Sequence, residues 1–251
     1  MHRMKLFPSL VGVALLAAFV FSAVQKAPAQ TVYHHIHKTS VYELLDELAG
    51  LQIIELNSAV KPYSRQLIAK KLAKAKQQEE KLNPRQQKEV NFFLKDFNKE
   101  LHSGEDFNKR FDLLYHQDSL FTFTMNVVGG LHYFSGDSGT LYHRWNGAEA
   151  WGYVGDHLGA YASLRDNHES VRLTDELTLN RRMGGNYKNS SNGGVDYSEM
   201  RGGITWSWDW GTVGLVKDHF EWGENQYGAN IFSGKTPSFA HLKLNVKPVD
   251  W

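Results

Sequence analysis

The chain has 251 residues, with 28 Lys plus Arg against 27 Asp plus Glu, so its formal net charge is +1. This balance argues against a nucleic-acid partner, because such proteins need a basic excess to replace phosphate counterions. The chain has no cysteine, which excludes disulfides, thiolate nucleophiles and cysteine-ligated metal sites. Aromatic residues make up 13%, and the mean hydropathy of −0.46 is too polar for a bundle of transmembrane helices. This composition is typical of a transmembrane β-barrel or of a soluble β-sandwich.

Residues 1–29 predict a secretory signal. Arg3 and Lys5 give a positive start, and residues 10–24 form a nearly uninterrupted apolar run. Residues 27–29 then form an A-x-A cleavage site. The run is shorter than the roughly 20 residues that span a bilayer, which favours a cleaved signal over a membrane anchor. We therefore expect export, with cleavage near Ala29.

Residues 30–115 predict a small helical domain. Each of three expected helices has a start signal: Ser40 as N-cap, the sequence Pro-Tyr-Ser at 62–64, and Asn83-Pro84 as N-cap and first residue. Apolar residues recur every three or four positions, at Val41, Leu44, Leu45 and Leu48, at Leu67, Ile68 and Leu72, and at Val90, Phe93, Leu94, Phe97 and Leu101. This spacing gives each helix one apolar face, so we expect one shared core.

Residues 116–251 alternate between apolar and polar side chains, which indicates β-strands. The clearest apolar faces are Phe121, Phe123, Met125, Val127, Leu131 and Tyr133; Leu158, Ala160, Ala162 and Leu164; Met200, Ile204, Trp206 and Trp208; and Ala240, Leu242, Leu244 and Val246. Segments of about 9–15 residues can cross a bilayer, whereas sandwich strands are usually about 5–6 residues long. We expect turns at 135–139 and 209–211, a long flexible polar loop at 184–194, and about seven or eight strands. The predicted fold is mainly β with a small α-helical N-terminal domain, its sheet being part of a transmembrane antiparallel β-barrel.

A motif between residues 216 and 239 resembles the capsule-assembly Wzi family of outer-membrane proteins. The residues that carry the resemblance are Trp222, Gly223, Gly228, Ile231, Ser233, Pro237 and Phe239. The helical region, through residues 41–50 and 62–68, is also similar to the family's N-terminal part. The chain departs from the family at Glu224-Asn225, where the family often has Pro-Gly after the Trp-Gly pair.

The resemblance implies an outer-membrane β-barrel of many strands with a small periplasmic helical domain. Members of the family act as lectins that attach capsular polysaccharide to the cell surface, and they are not known as enzymes. For this chain, the resemblance implies a periplasmic helical domain at 30–115 and the N-terminal part of a barrel at 116–251. The expected partners are capsular or extracellular polysaccharide and outer-membrane lipid. Because family members are much longer, we expect the chain to be a fragment.

Polysaccharide binding needs aromatic faces for stacking and planar polar groups for hydroxyls. The candidate binding residues are Arg165, Glu199, Arg201, Asp218, Trp222, Glu224, Gln226 and Tyr227. The first three lie on polar strand faces, where a cross-strand ion-pair ladder is the alternative to contact with an anionic polymer. The other residues lie in one segment, which alternatively packs the lumen and makes internal hydrogen bonds.

Carboxylates in the same segment raise the alternative of a glycan-processing enzyme in the periplasm. Glu221 with Glu224, or Asp218 with Glu221, has the composition of a glycosidase pair. Such a pair needs a separation of roughly 5–9.5 Å across a bound sugar, which proximity in the sequence does not establish. A small pore or diffusion channel is the second alternative, since a polar lumen suits it equally well.

His34, His35 and His37 are compatible with a metal site, although a flexible, solvated chain end is the favoured interpretation. The sequence contains no phosphate loop, no GxSxG and no HExxH motif. The sequence therefore predicts no cofactor and no metal, and no catalytic residues.

Overall fold

The computed structural model describes residues 30–57, 59–102, 108–137, 139–189, 193–223 and 231–246. The predicted signal at 1–29 lies outside the described residues, as do the candidate positions Glu224, Gln226, Tyr227 and Gly228. Within the described residues, no helix combines the length and the apolar character needed to cross a bilayer.

Three α-helices form where the sequence predicts them: α1 (Thr39–Gly50), α2 (Arg65–Gln77) and α3 (Pro84–Phe97). The hydroxyl of Ser64 caps α2 by accepting a hydrogen bond from the backbone N–H of Leu67 at 3.1 Å. Asn83 and Gln86 form a reciprocal capping box at the start of α3, which satisfies two N–H groups that the helix itself leaves unpaired. The predicted roles of Asn83 and Pro84 at this helix start are confirmed.

The helices share one apolar core, as predicted. Its largest fully buried side chains are Leu45, Leu48, Ile68, Leu72 and Phe97. Burying a side chain of this kind contributes about 1.5–3 kcal/mol. The predicted start of α1 is wrong, because the helix begins at Thr39 and its cap makes no side-chain hydrogen bond. The third helix ends at Phe97, so Leu101, predicted on its apolar face, lies beyond it. The region packs as a conventional water-soluble domain does.

Eleven strands are present in the described part of the chain. They are β1 (Val60–Lys61), β2 (Leu114–Gln117), β3 (Phe121–Gly136), β4 (Gly139–Val154), β5 (Leu158–Glu169), β6 (Tyr187–Asn189), β7 (Val195–Trp208), β8 (Gly211–Asp218), β9 (Glu221–Trp222), β10 (Phe232–Ser233) and β11 (Phe239–Val246). Eight strands form one antiparallel sheet in the order β11-β8-β7-β5-β4-β3-β2, with β6 paired to β7 beside that path. The edge strands β2 and β11 do not pair with each other in the described residues, so this sheet is open. A second sheet has the order β1-β9-β10.

The large sheet exposes its apolar face and covers its polar face. Val127, Leu215 and Leu242 are 71%, 69% and 71% exposed, whereas Thr205 and Asp218 on the opposite face are 0% and 1% exposed. Further exposed apolar side chains of the first face are Phe121, Phe123, Leu131, Leu164, Met200, Ile204, Trp206, Leu244 and Val246. The predicted division into two faces is confirmed, because the register keeps apolar positions of neighbouring strands opposite one another. We call the exposed side the apolar face and the covered side the polar face.

The two ends of the large sheet are connected differently. At one end, short turns at 155–157 and 209–210 join β4 to β5 and β7 to β8. At the other end, residues 170–194 join β5 to β7 and residues 219–238 join β8 to β11, and the short connection between β3 and β4 also lies there. The predicted turn at 209–211 is confirmed. The prediction of a flexible loop at 184–194 is wrong for its first half, because β6 forms there and pairs with β7.

Residues 30–38 lie along the polar face and connect it to the helical domain. The guanidinium of Arg201 donates a hydrogen bond to the carbonyl of Tyr33 at 2.6 Å, and the ammonium of Lys38 donates to the carboxylate of Glu149 at 2.6 Å. These contacts fix the start of the described chain on the sheet.

Buried charges also join the helical domain to the sheet. The ammonium of Lys99 lies 2.7 Å from the carboxylate of Asp112, to which Asn126 of β3 also donates at 2.9 Å. The guanidinium of Arg65 lies over the ring of Trp151, 4.2 Å from its centroid. The helical domain thus contacts the polar face through charged and aromatic groups rather than through its own apolar core.

Candidate functional site

Two predicted binding residues, Arg201 and Asp218, form a buried ion pair on the polar face. Arg201 donates from Nε and Nη2 to the two carboxylate oxygens of Asp218, at 3.0 and 2.9 Å. The hydroxyl of Tyr161 donates to the same carboxylate at 2.8 Å. Arg201 is 9% exposed and Asp218 is 1% exposed. Neither side chain is available to a polymer, which disagrees with their predicted role and agrees with the ion-pair alternative.

Arg165 and Glu199 lie directly opposite each other on β5 and β7. The Nε atom of Arg165 is 3.8 Å from Oε2 of Glu199, and Asn167 donates a hydrogen bond to the same oxygen at 3.4 Å. The guanidinium of Arg165 also lies over the ring of Trp145, 4.6 Å from its centroid. This cross-strand pair is again the arrangement of the ion-pair alternative.

The segment with the family motif forms the small second sheet. Trp222 pairs with Val60 of β1 on one side and with Phe232 of β10 on the other. The φ angle of Gly223 is 93°, in the left-handed region that glycine adopts without steric cost. The other described motif residues are Ile231 and Ser233, which are exposed, Pro237, which is buried, and Phe239, which begins β11. Trp222 is 44% exposed and is the most accessible of the predicted binding residues that the structure describes.

The carboxylates of this segment do not form a free pair in the described residues. Asp218 is occupied by Arg201, and Oε1 of Glu221 lies 3.8 Å from the ammonium of Lys61. A glycosidase needs one carboxyl group to hold a proton and the other to face the sugar. Asp218 is buried and held by Arg201, so it can neither hold a proton nor face a sugar. Asp218 and Glu221 therefore do not match the arrangement of a glycosidase pair. Glu224 lies outside the described residues.

His34 and His35, near the start of the described chain, are packed into the protein, so the favoured interpretation of a flexible, solvated end is wrong for them, whereas His37 is exposed. His34 is 5% exposed, and its ring lies against Phe97 with 5.1 Å between ring centroids. Burial lowers the pKa of His34 and of His35 well below the ordinary histidine value. The residues that cover this segment on the polar face come from much later in the sequence. The local sequence does not reveal them and therefore predicts a solvated segment.

His35 and His37 meet His219, which directly follows β8. The ring centroids are 5.2 Å apart for His35 and His219, and 4.6 Å apart for His37 and His219. Burial, reinforced by the neighbouring His37, lowers the pKa of His219 to about 4. With Glu199, two of these histidines form a group of possible metal ligands whose donor atoms all lie within 4.8 Å of one another: His37, Glu199 and His219.

A polar cleft of about 440 Å³ lies at the end of the sheet that carries the long connections. Arg144 of β4, His168 of β5, Asp196 of β7 and Lys188 of β6 occupy successive positions across these strands. The neighbouring row contributes further polar side chains, Asn146, Asp166 and Ser198. Both rows belong to the side of the sheet whose middle is apolar, so this side changes from apolar to polar towards the long connections.

The cleft offers several kinds of group that bind carbohydrate. His168 and Asp196 are linked by a contact of 2.7 Å, and Asp196 remains 54% exposed at its side chain. Tyr187 adds an aromatic ring, over which the guanidinium of Arg181 lies at 4.8 Å. Amides and carboxylates accept or donate hydrogen bonds to hydroxyls, and an aromatic face stacks on a sugar ring.

Reasoning from the sequence missed this cleft. Its residues come from strand ends and from a segment that was predicted to be an unpaired loop. The available signal was the loss of apolar residues at alternate positions: Leu164 is followed on the same face by Asp166 and His168.

Comparison of the chain with known protein families, with curated proteins and with solved structures finds no match, so the resemblance to the Wzi family rests on the motif residues and the helical region named above.

Proposed function

We propose that this chain is part of an outer-membrane protein that binds capsular or another extracellular polysaccharide at the cell surface. The observation that carries the proposal is the exposed apolar face of the large sheet. Water-soluble monomers rarely expose contiguous apolar patches beyond a few hundred Å². A sheet that exposes leucine, isoleucine and tryptophan across neighbouring strands, while it buries arginine and aspartate, suits a hydrocarbon solvent on one side.

The lengths of the strand connections suggest how the proposed barrel is oriented in the membrane. Transmembrane barrels have short periplasmic turns and longer extracellular loops. The short turns at 155–157 and 209–210 would then face the periplasm, and the connections at 170–194 and 219–238 would face the outside, together with the short connection between β3 and β4. In the proposed assembly, further strands pair with the free edges of β2 and β11 and close the barrel, because an open edge leaves backbone groups unpaired in lipid.

The polar cleft is the proposed polysaccharide site. In this orientation it lies on the extracellular side of the apolar face. It presents hydroxyl, amide and charged groups in one concave surface beside Tyr187. Each protein molecule needs only weak affinity for the sugar at this cleft. A repeating polymer engages many copies of the protein at once, which raises the overall avidity. The protein acts as a non-covalent attachment point and needs no catalytic step.

The covered polar face gives the channel alternative less support. Residues 30–38 and the helical domain occupy that face in the described structure. A pore would need an open aqueous path along the same surface.

The test combines polysaccharide binding with membrane location. Cells that produce the full-length gene product are fractionated, and the purified protein is titrated with fluorescently labelled capsular polysaccharide. We expect recovery with the outer membrane and a loss of affinity of about 5–30-fold when Tyr187 and Asp196 are both replaced by Ala, as the loss of one or two polar contacts predicts.

Lys70→Ala is the matched control, because Lys70 lies on an exposed position of α2 far from the cleft. It should leave polysaccharide binding unchanged. Recovery of the protein in the aqueous fraction without detergent would overturn the membrane part of the proposal. Unchanged binding by the cleft variant would overturn the assignment of the polysaccharide site.

A further inference from the structure

The cluster of His37, Glu199 and His219 has a use that the proposed function does not require. We propose that these three residues bind one divalent transition-metal ion, of which Zn²⁺ is the best fit. The three ligands come from separate parts of the fold: the segment before α1, the middle of β7, and the residue after β8.

The first argument is distance. The donor atoms of the three side chains all lie within 4.8 Å of one another, and Nδ1 of His37 is 3.5 Å from Oε1 of Glu199. Ligands at about 2.0–2.1 Å from a tetrahedral Zn²⁺ are about 3.3 Å apart. The most widely separated donor atoms must therefore close from at most 4.8 Å to about 3.3 Å around an ion. The exposed His37 ring can supply this movement, since it is less constrained than half-buried Glu199 and buried His219.

The second argument is an unsatisfied nitrogen. His219 is 2% exposed, and its Nδ1 atom has no hydrogen-bond partner among the described residues. A buried polar atom without a partner costs about 1–3 kcal/mol. This atom belongs to a residue that lines a small cavity of about 40 Å³, together with His37 and Glu199. A metal ion bound through this nitrogen would satisfy it.

The third argument is how Glu199 is held. Its Oε2 atom accepts a hydrogen bond from Asn167 and faces Arg165, which leaves Oε1 directed towards His37. Outer partners of this kind orient ligands and commonly contribute 10–100-fold to metal affinity. Arg201 does not compete for the carboxylate, because Asp218 neutralises it.

The donor set selects the metal. Two imidazoles and one carboxylate suit Zn²⁺ and its first-row neighbours, whereas Mg²⁺ and Ca²⁺ prefer oxygen ligands alone. Water or His35 would supply the fourth ligand of a tetrahedral ion. The Nδ1 atom of His35 already accepts the N–H of His37 at 3.0 Å, so Nε2 is the atom it has left for a metal. Bound metal would fasten the segment that leads into the helical domain to the polar face of the sheet.

The test measures Zn²⁺ binding by the full chain, purified in detergent with an affinity tag that contains no histidine. The readouts are calorimetric titration and the visible absorption of Co²⁺ in a four-coordinate site. We expect one tight Zn²⁺ per chain, no comparable binding of Mg²⁺ or Ca²⁺, and a rise in the unfolding temperature with Zn²⁺. His37→Ala and Glu199→Gln should each lower Zn²⁺ affinity by about 100-fold or more, since even outer partners contribute 10–100-fold.

The chain has 12 histidines, so weak binding elsewhere must be separated from the site. His132→Ala provides the matched control, because His132 is an exposed histidine of β3 outside the cluster. His37 is itself exposed, so its replacement leaves the fold intact even where replacement of buried His219 does not. Equal Zn²⁺ affinity in His37→Ala, Glu199→Gln and His132→Ala would overturn the proposal, as would the absence of a tight Zn²⁺ in the unaltered chain. Neither result would bear on polysaccharide binding at the polar cleft.

Discussion

The helical domain and the large sheet bury opposite kinds of side chain. In the helical domain, the core is apolar and contains the completely buried Leu45, Ile68 and Leu72, whereas the buried charges of Arg65 and Lys99 lie where the domain meets the sheet. In the sheet, the buried groups include Arg201 and Asp218, while Leu215 and Leu242 are about 70% exposed. One chain therefore contains two regions with opposite polarity. The proposed function accounts for this difference, because it places water around the helices and lipid around the apolar face of the sheet.

The two regions also differ in the interactions that stabilise them. The helical core depends on apolar volume, which tolerates repacking within limits. The polar face of the sheet depends on paired charges and hydrogen bonds, where removal of one partner leaves the other buried and unpaired. Substitutions in each region should therefore fail for different physical reasons.

Removal of the buried ion pair on the polar face should give the largest effect. Arg201→Met leaves the carboxylate of Asp218 buried without its cation and removes the donor to the carbonyl of Tyr33. We expect a loss of about 3–5 kcal/mol in the free energy of unfolding, measured by denaturant titration in detergent. The double variant Arg201→Met with Asp218→Leu should recover part of this loss. A double variant no more stable than the single one would show that the pair is not the cause.

A cavity in the helical core should give a similar or slightly smaller effect. Leu72→Ala removes a side chain with 0% exposure, which typically costs about 2–5 kcal/mol. The loss should be visible as reduced helical circular dichroism on heating, with the strand signal retained longer. Simultaneous melting of both signals would contradict the separation into two differently built regions.

A charge on the apolar face should destabilise the protein only where lipid covers that face. Leu215→Arg is expected to cost about 2–4 kcal/mol in a bilayer, as cationic residues do on the lipid side of a barrel. The replacement at Lys217 of the same strand by Arg keeps the charge and serves as the control. Equal stability of Leu215→Arg and the unaltered protein in lipid vesicles would argue that water, not lipid, faces Leu215.

The capping box of α3 should give the smallest effect. Asn83→Ala removes the acceptor for the N–H groups of Arg85 and Gln86, which typically costs about 1 kcal/mol. The change should appear in the unfolding of the helical domain and leave lipid insertion of the sheet unaltered. A defect in insertion would show that the two regions fold as one unit.

Local signals made much of the fold predictable. Ser64 and Asn83 mark helix starts because a polar side chain satisfies N–H groups a few residues away, which is a contact within the local sequence. The alternation at 121–133 fixes which side chains share a face because successive strand residues point to opposite sides.

Contacts between residues that are far apart in the chain could not be predicted from the sequence. Nothing near Arg201 indicates that Asp218 and Tyr33 will saturate it, and nothing near His37 indicates that β7 and the end of β8 will supply Glu199 and His219. These contacts depend on strand order and register, which periodicity does not specify. The polar cleft was missed for the same reason, since it combines ends of several strands.

The most direct test of the central claim reads the surroundings of successive residues on one strand. The chain lacks cysteine, so Leu244→Cys and Asn245→Cys of β11 each give one site for an environment-sensitive fluorophore. Both positions are exposed, Leu244 on the apolar face and Asn245 on the polar face. In vesicles with quenchers on the lipid chains, we predict strong quenching at 244 and little at 245. Equal quenching at the two positions, or no quenching at either, would contradict a sheet that faces lipid on its apolar side.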